Sequence, residues 1–282
     1  KMRVVVNVEP AGIQNSALPL DLPIALAILA ASGQLPTECL AGVAAFGELS
    51  LDGTVRPVRG ALPLVEAAKA AGMDRVIVPF GNVQEAILVE SIPIAPVHCL
   101  ADAVAYLKGD YVSPSGPRIT LIEPPSAAYL VSWDEVQGMD ETKAALAKAA
   151  ASMRPLLLVG PSGSGKSMLA ARVPGLMPPL SREEALEVTR IHSVAGLLPP
   201  GSRLVTRRPF RAPHHTVSAA GLVGNMRDMP GEATLAHNGV LFLDELPEFG
   251  KQTIEVLGTA VRMPARVLLI AAASACPCGW RG

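Results

Sequence analysis

The sequence predicts an α/β protein built from two modules, with a parallel sheet in the second and larger one. Three observations support this prediction. Helix-like and strand-like segments are mixed in both halves, three short runs in the second half are apolar at every position, and a Pro- and Ser-rich stretch separates the halves. Half of the 282 residues are hydrophobic and the net charge is −1, so the composition excludes a disordered chain. The length suits two domains of roughly 100–200 residues each.

A smaller module of mixed helices and strands, α/β or α+β, is predicted over residues 1–110. Its clearest local signal is Asp52-Gly53, which lies between two strand-like runs and is typical of a β-hairpin turn. Gly72 ends a helical pattern, as glycine commonly does at the carboxyl end of a helix. The predicted elements are a β-rich segment at 2–8, helices at 22–31 and 62–71, the hairpin within 47–58, and a strand at 75–79.

Residues 111–128 are enriched in proline and serine, which predicts an interdomain linker. The second module then covers residues 129–282. Its apolar runs do not alternate with polar residues, and this favours a parallel sheet covered on both faces. The predicted elements are helices at 141–151 and from Lys166 onward, and strands at 156–159, 240–243 and 267–272.

Residues 160–167 match the pattern G-x-x-x-x-G-K-[ST] in full, between a predicted strand and a predicted helix. In such a loop the glycines let backbone amides turn toward an anion, and the following helix directs its positive end there. Lys166 would hold the β and γ phosphates of ATP, and Ser167 would ligate Mg2+. The predicted ATP-binding residues are Gly160, Pro161, Ser162, Gly163, Ser164, Gly165, Lys166 and Ser167.

A second part of the site is predicted where the apolar run 240–243 ends in Asp244 and Glu245. Side chains that follow a parallel strand emerge at the carboxyl edge of the sheet, beside the phosphate loop. Asp244 is therefore predicted to bind Mg2+ together with Ser167. Glu245 is predicted to be the general base that deprotonates the attacking water, with Lys166 as a further catalytic residue.

Several strings resemble the magnesium-chelatase-like family of AAA+ ATPases, typified by the competence protein ComM and by YifB. They lie at 208–216, 230–239, 243–249 and 276–279, and they read RPFRAPHHT, PGEATLAHNG, LDELPEF and CPCG. The resemblance implies a P-loop AAA+ core that assembles into ATP-driven rings, expected to be hexamers. It also implies a helicase or branch-migration activity in natural transformation or recombination, so single-stranded or branched DNA is the expected partner.

The first module is similar to the proteolytic domain of Lon, a ribosomal S5-type fold, through residues 21–26 and 47–60. Lon-type proteases use a serine nucleophile and a lysine base, because a serine hydroxyl is inert without a base nearby. The corresponding positions here are Ile24 and Leu62. The resemblance therefore implies a catalytically inactive domain that serves as a structural or partner-binding platform.

An arginine-rich segment lies between Glu187 and Asp228, where no other acid occurs. Such a segment can bind a phosphate backbone, and the alternative is a subunit interface or ordinary surface arginines. The arginines are Arg190, Arg203, Arg207, Arg208, Arg211 and Arg227. In the same segment, His214 and His215 are interpreted as part of a polar turn after Pro213 rather than as catalytic groups.

Two positions depart from the family pattern. Ser274 stands where relatives carry an asparagine that senses the γ-phosphate; we assign it the same catalytic role, and because serine lacks the amide donor pair we expect slower hydrolysis. The segment 257–266 is shorter than the corresponding segment of the family, which carries a hairpin toward the central pore. Whether this chain contacts DNA there is therefore left open. The lid, second sensor and arginine finger of relatives fall beyond Gly282, and no residue here is assigned to them.

Two alternatives to a DNA motor stay open. One is the ATPase subunit of a magnesium chelatase, against which the Lon-like module argues. The other is a non-motor regulatory module that binds ATP as a switch, which the serine at position 274 favours.

The remaining patterns concern metals and location. Cys276 and Cys278 supply at most half of the four ligands that a structural zinc site requires. The most apolar stretch, 22–31, is far shorter than the ~20 residues that span a bilayer, so no membrane association is expected. The low cysteine usage predicts a reducing cytoplasm.

Overall fold

The computed structural model describes residues 5–6, 19–110, 133, 136–198, 204–224, 229–259 and 265–274. These residues form two compact units. One unit contains the described residues up to 110 together with 196–198 and 204, and the other contains the remaining described residues. The linker at 111–128 and nearly all of the β-rich segment at 2–8 lie outside the described residues. Within the described part of the chain, no helix combines the length and apolarity that a membrane crossing requires.

A three-stranded parallel sheet forms the centre of the first unit. The elements of this unit are α1 (Asp21–Ala31), β1 (Val43–Ala45), β2 (Glu48–Leu49), β3 (Val55–Arg56), α2 (Ala61–Ala70), β4 (Arg75–Pro79), α3 (Val83–Ala86), β5 (Ile94–Val97) and α4 (Leu100–Lys108). The sheet order is β1-β4-β5, and β2 pairs with β3 as a separate antiparallel hairpin. The predicted helices α1 and α2, the hairpin and strand β4 are confirmed, whereas β1 and β5 were not predicted.

The central strand β4 divides the core of the first unit into two layers. Val76 and Val78 pack on one side with α2, and Ile77 packs on the other with residues of α1 and α4. This arrangement follows from the two-residue period of a strand, because successive side chains point to opposite faces. Of the two positions where a Lon-type protease carries its catalytic pair, Leu62 is fully buried in this core and Ile24 is half-buried on α1.

A four-stranded parallel sheet forms the centre of the second unit, in the order β6-β9-β8-β7. The elements are α5 (Asp140–Ser152), β6 (Leu156–Val159), α6 (Lys166–Ala170), α7 (Arg182–Ala195), β7 (Phe210–Arg211), α8 (Ala219–Val223), α9 (Glu232–Leu235), β8 (Val240–Leu243), α10 (Lys251–Thr259) and β9 (Leu268–Ala273). The parallel sheet and the predicted strands β6, β8 and β9 are confirmed. Strand β7 was not predicted.

The expectation that this sheet is covered on both faces holds for β8 and is wrong for β6. All four side chains of β8 are buried. On β6, Leu157 is 52% exposed and Val159 is 62% exposed. In the sheet, β8 lies between two other strands, whereas β6 is an edge of the described sheet.

The beginning of β8 is fixed by close backbone packing and by a buried polar cluster. A Cβ atom at Gly239 would lie 2.1 Å from the carbonyl oxygen of Pro209, so only glycine fits there. One residue earlier, Asn238 is almost fully buried and donates from Nδ2 to Oε2 of Glu187 on α7 at 2.9 Å. His237 lies 3.1 Å from the same oxygen through Nε2.

The tautomer of His237 follows from its second contact. The backbone N–H of Arg266 donates to Nδ1 of His237 at 3.1 Å, so Nδ1 is the acceptor and Nε2 carries the hydrogen that is donated to Glu187. The hydrogen bonds from His237 and then Asn238 hold the pKa of the Glu187 carboxyl below its ordinary value. The cluster therefore joins α7 to the start of β8.

Candidate nucleotide-binding site

The phosphate loop connects β6 to α6 at the carboxyl edge of the four-stranded sheet. Its path requires two left-handed backbone positions, Gly163 at φ 79° and Gly165 at φ 84°, which glycine adopts without steric cost. Gly165 is also the residue from which α6 begins. The loop is tied to β9 because Gly160 N–H donates to the carbonyl of Ala273 at 3.3 Å.

The ammonium group of Lys166 lies inside the curve of this loop. Its Nζ atom donates to the carbonyl oxygens of Gly160 and Pro161, each at 2.8 Å, and contacts Ser164 Oγ at 3.4 Å. A positive charge in the concavity of a glycine-rich loop matches the requirement for binding phosphate oxygens.

The two predicted metal ligands are in direct contact. Ser167 Oγ donates to Oδ2 of Asp244 at 2.5 Å, which joins the first turn of α6 to the residue that follows β8. A hydroxyl and a carboxylate provide the oxygen donors that Mg2+ prefers, so the residues present fit this ion. Among the described residues, no cluster of three or more histidine, cysteine, aspartate or glutamate side chains is placed to hold a metal.

Glu245 has an unusual backbone for a residue with a side chain. Its φ angle is 53°, in the left-handed region, and its N–H donates to Oδ1 of Asp244 at 3.0 Å. Non-glycine residues in this region carry a cost and are concentrated at functional sites. The conformation directs the Glu245 side chain, which is 61% exposed, away from the end of the strand.

One cavity of about 300 Å3 brings most of the predicted residues together. It is lined by Ser162, Gly163, Ser164, Gly165, Lys166, Ser167, Met168, Asp244, Glu245 and Ser274. Ser274 follows β9 directly and is exposed to this cavity. Gly160 and Pro161 line the adjoining groove instead, which is about 440 Å3 and runs between α5 and the exposed face of β6.

His215 lies closer to the predicted base than its interpretation as a turn residue suggested. Its Nδ1 atom is 3.6 Å from Oε2 of Glu245, and both residues line a second cavity of about 440 Å3. The missing signal was β7: this two-residue strand runs parallel to β8, so the loop that follows it emerges at the same edge as Asp244 and Glu245. His214 lines the same cavity.

The arginine-rich segment is less available for phosphate binding than its sequence suggested. Arg208 is 9% exposed; it donates to Oε2 of Glu184 at 3.1 Å and to the carbonyl of Asn238 at 2.7 Å. Arg211 makes two bonds to the carboxylate of Glu232, of 2.6 and 2.8 Å. These acids come from outside the acid-free segment and neutralise two of the charges.

Other predicted features of this unit are only partly described. Arg207 is exposed, whereas Arg203 and Arg227 lie outside the described residues. The cysteines at 276 and 278 and residues 260–264 of the shortened segment also lie outside them.

The fold and the site together define a P-loop nucleotide-binding protein of the AAA+ class, and a smaller α/β unit precedes this core in the chain. The chain belongs to the family described as magnesium chelatase, subunit ChlI, whose model matches residues 132–282. A second model, described as subunit ChlI of Mg-chelatase, matches residues 1–82.

Individual relatives agree with this assignment. An uncharacterized protein of Mycobacterium tuberculosis is 43% identical over 294 residues, covering 98% of this chain and 58% of that protein. Competence protein ComM of Haemophilus influenzae is 36% identical over 296 residues, covering 98% of this chain and 57% of that protein. The chain thus spans somewhat more than half the length of these relatives, and the resemblance inferred from the motifs is confirmed.

The Lon-like character of the amino-terminal region is also confirmed. Lon protease 2 of Bacillus subtilis is 38% identical over 79 residues, covering 28% of this chain and 14% of that protein.

Proposed function

We propose that this chain binds and hydrolyses ATP with Mg2+ and acts as part of an oligomeric AAA+ motor that remodels DNA. The observation that supports it best is the convergence of Lys166, Ser167, Asp244 and Glu245 on one cavity. These four residues come from two separate strand ends, and they supply a cation, two oxygen ligands and a carboxylate base. This combination matches the requirements of phosphoryl transfer to water.

Each residue has a distinct role in this proposal. Backbone N–H groups within residues 162–167 and the Lys166 ammonium bind the phosphate oxygens, while Ser167 and Asp244 would hold Mg2+. The metal supplies positive charge that neutralises the phosphate oxygens. Glu245 orients the attacking water and accepts its proton, and Ser274 hydrogen-bonds at the terminal phosphate or the water.

The groove beside the phosphate loop supports binding of a complete nucleotide. Its walls include Met139 and Thr142 at the start of α5, and Leu157 and Val159 on the exposed face of β6. Met139 is 38% exposed and lies beside Gly165 of the loop. Apolar walls next to a phosphate site suit a nucleobase, which buries its faces against side chains of this kind.

The wider assignment concerns DNA, ring assembly and the first module. It is supported by the 36% identity to ComM, which is described as a competence protein. In this assignment the chain consists of an inactive Lon-like platform at 1–110, a linker at 111–128 and an ATPase core at 129–282.

The decisive experiment is to measure the steady-state ATPase rate of the full-length protein with and without single-stranded and branched DNA. Glu245→Gln should lower kcat by about a hundredfold or more while ATP binding persists, because a general base contributes roughly 10²–10⁴-fold. Glu248→Gln, at an exposed position three residues on, is the matched control. An ATPase rate that does not change with DNA at low salt would contradict the DNA-motor proposal but not the proposed ATPase activity.

A magnesium chelatase ATPase subunit is the second candidate, and the description of the matching family favours it. Its test is Mg2+ insertion into a porphyrin by a reconstituted chelatase in which this protein replaces the ATPase subunit. Insertion that depends on Lys166 would favour the chelatase over the DNA motor. A protein that binds ATP yet shows no turnover in either assay would instead favour a regulatory module.

A further inference from the structure

His215 is held in a defined position at the edge of the second cavity. Its ring contacts that of His214 in a tilted arrangement, with centroids 4.0 Å apart and planes at 37°, and it meets the ring of Phe249 edge-on at 6.5 Å. The Thr216 N–H donates to Nδ1 of His214 at 3.4 Å, and this hydrogen bond helps to fix the His214 ring. Phe249 is buried, so the other contact is with the core of the unit.

Glu245, by contrast, has little to fix its carboxylate. The side chain is 61% exposed and borders both the phosphate-loop cavity and the cavity beside His215. A glutamate has three rotatable side-chain bonds, and an exposed one samples many orientations. A general base must instead be held in hydrogen-bond reach of the water, usually by a third group that orients it.

We propose that His215 is a positioning residue that orients the Glu245 carboxylate toward the attacking water by donating a hydrogen bond from Nδ1. The separation of 3.6 Å is slightly beyond a hydrogen bond, and catalytic contacts of this kind commonly shorten when the substrate binds. The inference rests on the proposed function, because it concerns the same hydrolytic site.

Two substitutions separate this role from simple packing. His215→Asn places an amide nitrogen at the same number of bonds from the backbone as Nδ1, so it keeps the donor and loses the ring. His215→Phe keeps a ring between His214 and Phe249 and loses the donor. An exposed histidine in the first unit, His98, provides the control as His98→Asn.

The kinetic test measures kcat and KM for ATP in the full-length protein. His215→Phe should lower kcat about tenfold with KM unchanged, and His215→Asn should stay within about threefold of wild type. In a Glu245→Gln background His215→Phe should have no further effect, because residues that act through one another are not additive. A Phe variant as active as wild type, or one that outperforms the Asn variant, would overturn the proposal.

A second readout does not depend on turnover. In ¹⁵N spectra of histidine-labelled protein, the Nδ1 resonance of His215 is identified by its loss in His215→Asn. This resonance should shift on Glu245→Gln substitution. A resonance that does not shift would rule out the contact between His215 and Glu245. If the wild type itself does not hydrolyse ATP, the proposed function falls and takes the role of His215 with it. If the wild type is active and the Phe variant equals it, only the role of His215 falls.

Discussion

Ser167 Oγ donates a hydrogen bond of 2.5 Å to Oδ2 of Asp244. The bond joins two residues 77 positions apart in the chain, at the carboxyl edge of the sheet. This contact fixes the start of α6, the helix that follows the phosphate loop, against the end of strand β8. It also brings together the two oxygen ligands that we assign to Mg2+.

Replacing Ser167 by alanine tests this pairing. The substitution removes one oxygen ligand and leaves Asp244, so we expect the Mg2+ concentration for half-maximal ATPase activity to rise about tenfold. A Mg2+ titration at saturating ATP measures the change. Ser152→Ala, whose hydroxyl donates to the Lys148 carbonyl on α5, is the control. An unaltered Mg2+ dependence in Ser167→Ala would remove Ser167 from the metal site.

Lys166→Ala should weaken ATP binding about tenfold to a hundredfold, since a hydrogen bond to a charged group contributes roughly 1.5–3 kcal/mol. The physical reason is that the ammonium occupies the concavity of the loop, where its three present partners are all uncharged oxygens. Calorimetry with a non-hydrolysable ATP analogue measures the affinity. The exposed Lys148→Ala should bind like wild type; if both variants did so, the ammonium would have no part in nucleotide binding.

Truncation of two neighbouring arginines should change the free energy of unfolding by very different amounts. Arg208→Ala should lower the free energy of unfolding by about 2–3 kcal/mol, because it removes the guanidinium that donates to the Glu184 carboxylate and to the Asn238 carbonyl. Arg207→Ala should change stability by less than about 0.5 kcal/mol, as is usual at exposed positions.

DNA affinity provides the complementary measurement for this pair. If the segment contacts a phosphate backbone, Arg207→Ala should weaken DNA binding and reduce its salt dependence. Urea denaturation and binding titrations at two salt concentrations make the comparison. Equal stability losses in the two variants would contradict the assignment of Arg208 to internal contacts.

Acid should weaken the joint between α7 and β8. The folded-state pKa of Glu187 is lowered from its ordinary value of 4.5, so its contribution to stability is present above that value and is lost as the pH falls through the folded pKa. Glu187→Gln should therefore reduce the dependence of Tm on pH below about 4.5, at some cost to Tm at neutral pH. Thermal unfolding across this range, with Glu248→Gln as control, measures the effect. Parallel pH profiles for wild type and Glu187→Gln would refute it.

Local sequence signals predicted the parts of the site that lie next to one another in the chain. The phosphate loop and the two acids were recognised because glycine conformations, a lysine-serine pair and an apolar strand impose patterns at short range. The structure adds that Ser274 borders the same cavity as these residues.

Tertiary pairing accounts for what the sequence did not reveal. Strand β7 has two residues, too few for any periodicity, and its position beside β8 is what brings His215 to Glu245. The ion pairs of Arg208 and Arg211 could not be predicted because their partners, Glu184 and Glu232, lie outside the acid-free segment. The exposure of Leu157 and Val159 on β6 depends on which elements cover that face, which strand composition does not encode.

The contact between Gly239 and Pro209 limits which substitutions the second unit can accept. β7 starts directly after that proline and β8 directly after that glycine, so the spacing of the two strands is set where no methyl group can enter. Glu245 lies six residues further on, about 20 Å away at the usual rise of a strand. A side chain introduced at position 239 would therefore displace the start of β8 and, through the strand, Asp244 and Glu245 at its other end.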